Sequence, residues 1–152
     1  MKLFKFRDWE LLVDREATQQ VYDKIDGGLA DGCECNACKN YINFREQIFP
    51  DEIKVLFAKT GIDYNKECEN MHYGRSTNGL HSYHFWFHFK GKIINQKIEE
   101  ASIKNSKNNN LRISFGNFQY PTFFENIENL IQVEFYTEIP WTIEKELENI
   151  YE

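Results

Sequence analysis

No stretch of the sequence approaches the roughly 18 consecutive apolar residues that a membrane-spanning helix needs. The start, MKLFKFRDWELLVD, also lacks the apolar segment and the small-residue cleavage site of a secretory signal. These two absences predict a cytoplasmic protein that does not contact membranes. In that reducing compartment we expect the four cysteines to be free thiols or metal ligands rather than disulfides.

Basic residues are too scattered for general nucleic-acid binding, which requires a concentrated positive surface. The formal net charge is -6, and the nearest basic run, residues 90–97, is interrupted by Gly91 and an Ile-Ile pair. Residues 74–79 lack the Gly-x4-Gly-Lys spacing of a phosphate loop. The sequence therefore predicts no nucleic-acid partner. Its acidic balance favours a basic protein as partner, although a mild negative charge is also typical of an ordinary solvated surface.

The composition predicts a packed globule. Apolar residues make up 41% of the 152 residues and aromatic residues 16%, which is incompatible with a disordered chain. A chain of this length fits one domain, and we find no internal repeat and no linker-like stretch. We expect a single domain over residues 1–152. The abundance of Asn, Ile and Lys suggests a bacterial origin.

Residues 80–95, LHSYHFWFHFKGKIIN, hold the largest concentration of aromatic side chains. In a strand, alternate residues point to opposite faces. One face would then carry four aromatic rings, Tyr83, Phe85, Phe87 and Phe89. The other face would carry a mixed set, His84, Trp86, His88 and Lys90. A face of four rings has to be covered, because exposed it would invite aggregation. The pattern therefore predicts the central strand of a sheet.

Helices are predicted mainly before this strand and other strands mainly after it. Apolar spacing and capping residues predict helices at 15–25, from 36–38 to 49, at 50–61, a short one after Asp63, a helical turn within 121–129, and a terminal helix after Thr142. Alternation predicts strands at 3–6, 9–13, 111–115 and 131–136. Residues 96–110 are polar, and form either a mobile excursion or part of an irregular hairpin. This order predicts an α+β fold, with an antiparallel sheet in the C-terminal half packed against helices from the N-terminal half.

The strongest chemical signal is CECNAC at residues 33–38. Thiolates spaced two and three residues apart converge on one cation where a loop meets a helix start, and zinc imposes little geometry of its own. Cys33, Cys35 and Cys38 are therefore predicted zinc ligands. The fourth is predicted to be Cys68; the alternatives are His72, His81 and His84. Reduced thiols without metal remain the competing interpretation, because most zinc modules contain two paired ligand sets.

A redox interpretation uses two of the same residues. Cys35 and Cys38 form a C-x-x-C at a predicted helix N-terminus, where the helix dipole favours the thiolate. A thioredoxin-like site expects a strand leading directly into the motif, whereas the glycine-containing residues 27–32 intervene here.

The histidines and carboxylates give weaker signals of a functional site than the cysteines do. In a helix, His81, His84 and His88 would share one face; in a strand, His84 and His88 lie ~13 Å apart at ~3.3 Å per residue, too far to share an ion. Glu134 and Glu138 lie on the solvent face of the last predicted strand, and the sequence places neither against a histidine or a nucleophile.

The segments CECNACKNY, TGID, LHSYHFWF and EIPW resemble a group of small bacterial proteins that share C-x-C-x2-C, G-I-D and I-P-W landmarks. The resemblance covers residues 33–141. It implies a bacterial origin and a single domain, and it implies no activity.

We therefore expect a non-catalytic, cytoplasmic protein-binding module with a structural zinc corner, such as an acidic antagonist or an immunity-type protein. The alternative is an enzyme, either a metal-dependent hydrolase that uses the cysteines and histidines or a thiol oxidoreductase that uses Cys35 and Cys38. A catalytic zinc keeps an open coordination position, whereas a structural zinc is closed.

Overall fold

The chain combines helices with one antiparallel sheet, in a computed structural model that describes residues 1–105 and 108–148, and side chains in those ranges except at 105 and 108–110. The helices are α1 Arg15–Asp23, α2 Asn36–Ile48 and α3 Asp51–Thr60, with a 3-10 turn at Ala30–Gly32. The strands are β1 Lys2–Phe6, β2 Trp9–Val13, β3 Glu69–Arg75, β4 His81–Gln96, β5 Ala101–Asn105, β6 Asn108–Asn117 and β7 Leu130–Ile139. The predicted α+β class is confirmed. None of the helices in the described ranges has the length and apolar character required to cross a bilayer.

Strand β4 is the centre of the sheet, as its aromatic alternation predicts. The strand order is β1-β2-β4-β7-β6-β5, and β3 also pairs with β4. Strand β7 follows one edge of β4 from the His81–Ile139 pair to the Lys90–Leu130 pair. The other edge is divided, because β3 pairs with residues 81–86 and β2 with residues 91–96.

Helix α1 fills the gap that β3 and β2 leave on this edge. The Tyr22 hydroxyl donates to the His88 carbonyl at 2.8 Å and accepts from the His88 N–H at 3.1 Å. The Thr18 hydroxyl accepts from the Lys90 N–H at 2.9 Å, and the Asp14 N–H donates to the Lys90 carbonyl at 2.9 Å. Side chains of a helix thus replace the missing strand, which satisfies backbone groups that burial would otherwise penalise.

The helices bury the four-ring face of β4. Phe57 of α3 packs on Phe87 with ring centroids 5.2 Å apart, and Phe49 lies 5.5 Å from Phe135 of β7. Helix α3 ends at Gly61, whose φ of 85° is left-handed and favours glycine. Each aromatic ring pair such as Phe57–Phe87 contributes about 0.5–1.5 kcal/mol beyond the burial of apolar area.

Three of the predicted helices are wrong where the structure describes them. Residues 63–68 form turns, and β3 begins at Glu69, because the edge of β4 offers backbone partners that a single helical turn cannot match; the Cys68 N–H donates to the Trp86 carbonyl at 2.9 Å. Residues 121–129 form bends and a turn rather than a helical turn.

The C-terminal segment is also irregular rather than helical over residues 142–148. The predicted helix fails there because Asn40 of α2 already binds the N–H and the hydroxyl of Thr142, the expected cap. The predicted helix contacts of Ile150 and Tyr151 lie outside the described residues. The polar residues 96–110 include strand β5 and the start of β6, so the hairpin alternative is confirmed for the described part of this stretch.

Replacing Tyr22 by Phe removes only the hydroxyl that bridges both backbone groups of His88. We expect the Tyr22→Phe variant to lose about 2 kcal/mol of unfolding free energy, since one buried N–H and one buried carbonyl lose their partner. Urea denaturation measures the loss. Tyr120, with an exposed fraction of 72%, provides the control: Tyr120→Phe should change stability by less than about 0.5 kcal/mol. Equal stability of the two variants would contradict the role assigned to α1.

Candidate metal centre

The three clustered cysteines lie where the 3-10 turn meets α2. Cys33 follows the turn directly, Cys35 is the N-cap residue of α2, and Cys38 lies in its first turn. The extended backbone of Cys35 (φ -70°, ψ 154°) lets its sulfur accept the Cys38 N–H at 3.4 Å. The Cys35 sulfur therefore caps the start of α2, where the free N–H groups and the positive end of the helix dipole lie.

The three sulfurs have a geometry that suits a tetrahedral cation. They all lie within 4.8 Å of one another, and the Cys33 and Cys35 sulfurs are 3.1 Å apart. Zinc–sulfur bonds of about 2.3 Å in a tetrahedron place the sulfurs ~3.8 Å apart, a value inside this range. A small side-chain adjustment therefore brings the three ligands to coordination distance. Cys38 is buried, whereas Cys33 and Cys35 are half-buried.

The pKa values of two of the three thiols shift in opposite directions. Burial acts to raise the pKa of Cys33, but hydrogen bonds from Cys35 and Cys38 hold it below its ordinary value. Burial, together with hydrogen bonds to Cys33 and Cys35, raises the pKa of Cys38 well above its ordinary value. The pKa of the Cys33 thiol is thus lowered while that of the neighbouring Cys38 thiol is raised. A divalent cation favours the thiolate at every ligand, so its binding would release the remaining protons.

A buried glutamate fixes the loop that leads into the corner. The Glu67 carboxylate accepts from the Ala30 N–H at 3.1 Å and lies 3.4 Å from the Arg45 guanidinium, and its side chain is fully buried. Burial raises the pKa of Glu67 to about 7. A Cβ on Gly28 would lie 2.2 Å from a Glu67 oxygen, so this approach requires glycine.

The C-terminal segment covers the start of α2. Glu148 accepts from the Asn36 N–H at 2.8 Å, so a carboxylate caps the positive end of the helix beside the thiols. Asn40, which is fully buried, accepts from the Thr142 N–H at 2.6 Å and donates to the Pro140 carbonyl at 3.1 Å. Sequence reasoning missed both residues. The available signal for Asn40 was an asparagine among the apolar positions of a predicted helix. No local sequence pattern marked Glu148.

Cys68 lies apart from the other three cysteines. Its thiol donates to the Pro121 carbonyl at 2.8 Å, and burial raises its pKa to about 12. Within the described ranges, the ligand atoms gathered within 4.8 Å of one another are those of Cys33, Cys35 and Cys38.

The alternative histidine ligands are engaged elsewhere. His72 and His81 face each other with ring nitrogens 2.9 Å apart, and His81 packs on Trp141. His84 contacts Tyr73 and Tyr136 on the sheet. His84 and His88 lie along one extended strand, as the alternation predicts.

The approach to the C-x-x-C motif differs from that of a thioredoxin-like site. The 3-10 turn and Cys33 precede Cys35, rather than a strand. Buried Asn70 of β3 donates to the Cys38 sulfur at 3.8 Å, so β3 contributes a contact from the side. The corner therefore joins the 3-10 turn, the first turn of α2 and strand β3.

Asn40 should be required for the C-terminal cover of this corner. We expect Asn40→Ala to lower the unfolding free energy by about 3 kcal/mol, because the Thr142 N–H and the Pro140 carbonyl lose a buried partner. Asn43 also contacts Thr142, at 2.9 Å, but is exposed. Asn43→Ala on the same helix is thus the matched control and should cost less than about 1 kcal/mol. Denaturant titration of both variants measures the difference, and similar losses would exclude the role given to Asn40.

The C-x-C-x2-C spacing thus corresponds to a real cluster. Residues 61–63 directly follow α3, and residues 139–141 begin at the last residue of β7. Comparisons with protein-family models, with curated proteins and with solved structures find no match to this chain.

Proposed function

We propose that the chain is a protein-binding module whose cysteine corner is closed by a structural zinc ion. The observation that carries the proposal is the convergence of Cys33, Cys35 and Cys38 within 4.8 Å at the start of α2. Three thiols are the donor set that zinc prefers, and a thiolate-rich set is typical of structural sites.

The surroundings of the corner favour a structural over a catalytic role. Glu67 holds the loop before Cys33, Asn70 contacts Cys38 from β3, and Glu148 caps α2. A metal here would fasten the loop before α2 to the first turn of that helix, beside strand β3, and its binding free energy would become folding free energy. Because the Cys68 thiol is already bound to the Pro121 carbonyl, we assign the fourth coordination position to another ligand.

A basic protein is the partner that the charge distribution favours. The net charge is -6. Exposed Glu34 lies inside the cysteine motif, and the Glu146 carbonyl accepts from the Asn36 side chain at 2.8 Å, which brings a second exposed acidic residue to the same corner. Zinc with three thiolates adds a further negative charge. Acidic surfaces of this kind accelerate the association of basic proteins. We place this module in the reducing cytoplasm, where the thiols stay available to metal.

A thiol oxidoreductase is the second candidate, because the Cys33 and Cys35 sulfurs are only 3.1 Å apart and the pKa of Cys33 is lowered. The buried Cys38 disfavours it, since burial raises the pKa of that thiol and a neutral thiol is a poor nucleophile.

Zinc should copurify with the protein at about one ion per chain when no chelator is used. We expect Cys38→Ser to lose the ion and to melt roughly 10 °C lower, because a loss of about 3 kcal/mol shifts a domain of this size by that amount. Elemental analysis and calorimetry measure the two effects.

Cys68→Ser is the matched control for this experiment, since Cys68 is also buried but lies outside the cluster; it should keep the ion. If Cys38→Ser does not fold, a chelator added to the wild-type protein should lower its melting temperature by a similar amount. Wild-type protein without metal, or with a melting temperature insensitive to chelator, would contradict the proposal.

Binding of a basic partner should depend on the acidic residues at the corner. We expect the double variant Glu34→Gln and Glu146→Gln to bind a basic peptide array at least about tenfold more weakly at low salt than the wild-type protein does. The double variant Glu99→Gln and Glu125→Gln changes the net charge equally at exposed positions elsewhere. Equal binding by both double variants would show attraction by net charge alone and would remove the corner as the interface.

A further inference from the structure

The face of the sheet opposite the helices carries a continuous chain of hydrogen bonds that ends at an exposed tyrosine. The Tyr73 hydroxyl lies 3.0 Å from Nδ1 of His84, and Nε2 of His84 lies 3.4 Å from Oε2 of Glu134. These residues come from β3, β4 and β7. The sequence placed Glu134 on a solvated face; the sheet register pairs it with Trp86, beside His84.

The direction of each hydrogen bond follows from the charge of Glu134. A hydrogen bond from His84 and a second from Gln132, working against partial burial, hold the pKa of Glu134 below its ordinary value, so it is ionised at neutral pH. An ionised carboxylate only accepts hydrogen bonds, so Nε2 of His84 carries the proton. In the tautomer that carries its proton on Nε2, Nδ1 is an acceptor, and the Tyr73 hydroxyl donates to it. The Met71 sulfur, 3.9 Å away, is the weaker competing acceptor.

Buried groups hold Glu134 in place from the other side. The Gln132 side-chain nitrogen Nε2 donates to Oε1 of Glu134. The Gln132 side-chain oxygen Oε1 accepts from the Gln119 N–H at 2.7 Å and from Nε2 of His88 at 2.9 Å. Burial lowers the pKa of His88 to about 4, so its ring is neutral at pH 7. The chain therefore has one consistent set of donors and acceptors from the interior outward.

His84 is locked in orientation. Its ring stacks on Tyr136 with centroids 3.9 Å apart and planes 10° apart, lies 5.1 Å from the ring of Trp86, and is 6% exposed. Tyr73, by contrast, is 59% exposed and lies where the β3–β4 register shifts between His72 and Gly74. A bulge of this kind often positions a side chain at a functional site.

Tyr73 borders an open cleft. The cleft has a volume of about 500 Å³, and its lining includes Ser82, Asn78, Arg112, Tyr136 and Glu138, whose carboxylate accepts from the Asn78 side chain at 2.9 Å. The Arg112 guanidinium lies 5.0 Å above the Tyr136 ring. Its contact with Glu100, at 3.5 Å between exposed groups, is a weak ion pair, so Arg112 can receive an anionic group.

We propose that Tyr73 is a nucleophile activated by His84 and Glu134, and that the cleft binds a small ester with an anionic group that Arg112 receives. The Tyr73 oxygen attacks the electrophilic carbon while its proton passes to Nδ1 of His84. The bond to the leaving alkoxide breaks, and the alkoxide departs with its electron pair and takes the proton from His84. Glu134 stabilises the intermediate imidazolium. This site goes beyond the proposed function and uses none of the cysteines.

Aryl sulfonyl fluorides test the nucleophile without knowledge of the substrate. Tyr73 would form a sulfonate ester, fluoride would leave, and His84 would take the proton. Mass spectrometry should show Tyr73 labelled at least about tenfold faster than Tyr120, which is 72% exposed in the same chain. His84→Asn should reduce Tyr73 to the rate of Tyr120, and Glu134→Gln should slow it at unchanged melting temperature.

His72→Asn, on the opposite face of the sheet, is the control and should leave the rate unchanged. Equal labelling of Tyr73 and Tyr120, or a Tyr73 rate that does not depend on His84, would overturn the proposal. If His84→Asn does not fold, the comparison of Tyr73 with Tyr120 and the Glu134→Gln variant still decide the question.

The cleft is tested by the charge of the probe. A carboxylate-bearing benzenesulfonyl fluoride should label Tyr73 faster than neutral benzenesulfonyl fluoride does, and Arg112→Gln should remove that preference while leaving the rate of the neutral probe. No preference in the wild-type protein would show that Arg112 does not receive the anionic group.

Discussion

The 16-residue strand β4 has to be satisfied on both faces and both edges, and most of the remaining structure meets this requirement. Strand β7 covers one edge, while β3, α1 and β2 share the other. On the four-ring face, Phe49 and Phe57 pack on the central rings Phe85 and Phe87, Tyr41 packs on Tyr83, and Phe115 packs on Phe89. An unsatisfied backbone group of β4 would cost about 1–3 kcal/mol. This is a large share of the free energy of unfolding of a typical domain, so detaching any of these elements from β4 would be strongly destabilising.

The parts of the fold that follow from local patterns could be predicted from the sequence. Alternating rings predicted β4, and apolar spacing with capping residues predicted the start of α1 at residue 15 and the end of α3 near residue 61. The predicted helix after Asp63 failed because pairing with β4 outweighed a weak apolar spacing. The edge gap filled by Tyr22 could not be predicted, since it depends on where two separate strands stop along a third.

In the candidate sites, too, local patterns could be predicted from the sequence and contacts between distant residues could not. The cysteine cluster was predictable because its ligands lie within six residues, so one helix start brings them together. Cys68, predicted as the fourth ligand, lies outside this cluster, and its thiol donates to the Pro121 carbonyl. The contact between His84 and Glu134 spans 50 residues, and only the register of β4 with β7 reveals it. The two regions occupy opposite faces of one sheet, and β3 contacts both, through Asn70 and Tyr73.

The cap that Glu148 places on α2 spans 112 residues, and the contact between Thr142 and Asn40 spans 102. A ribosome adds residues at a rate of about 5–20 per second, so α2 waits roughly ten seconds after its own synthesis before these groups exist. During that interval the cysteines are present in the nascent chain without their C-terminal cover. The cysteine corner therefore receives its C-terminal cover only after the last strand has been made, and the order of translation becomes part of how this corner is assembled.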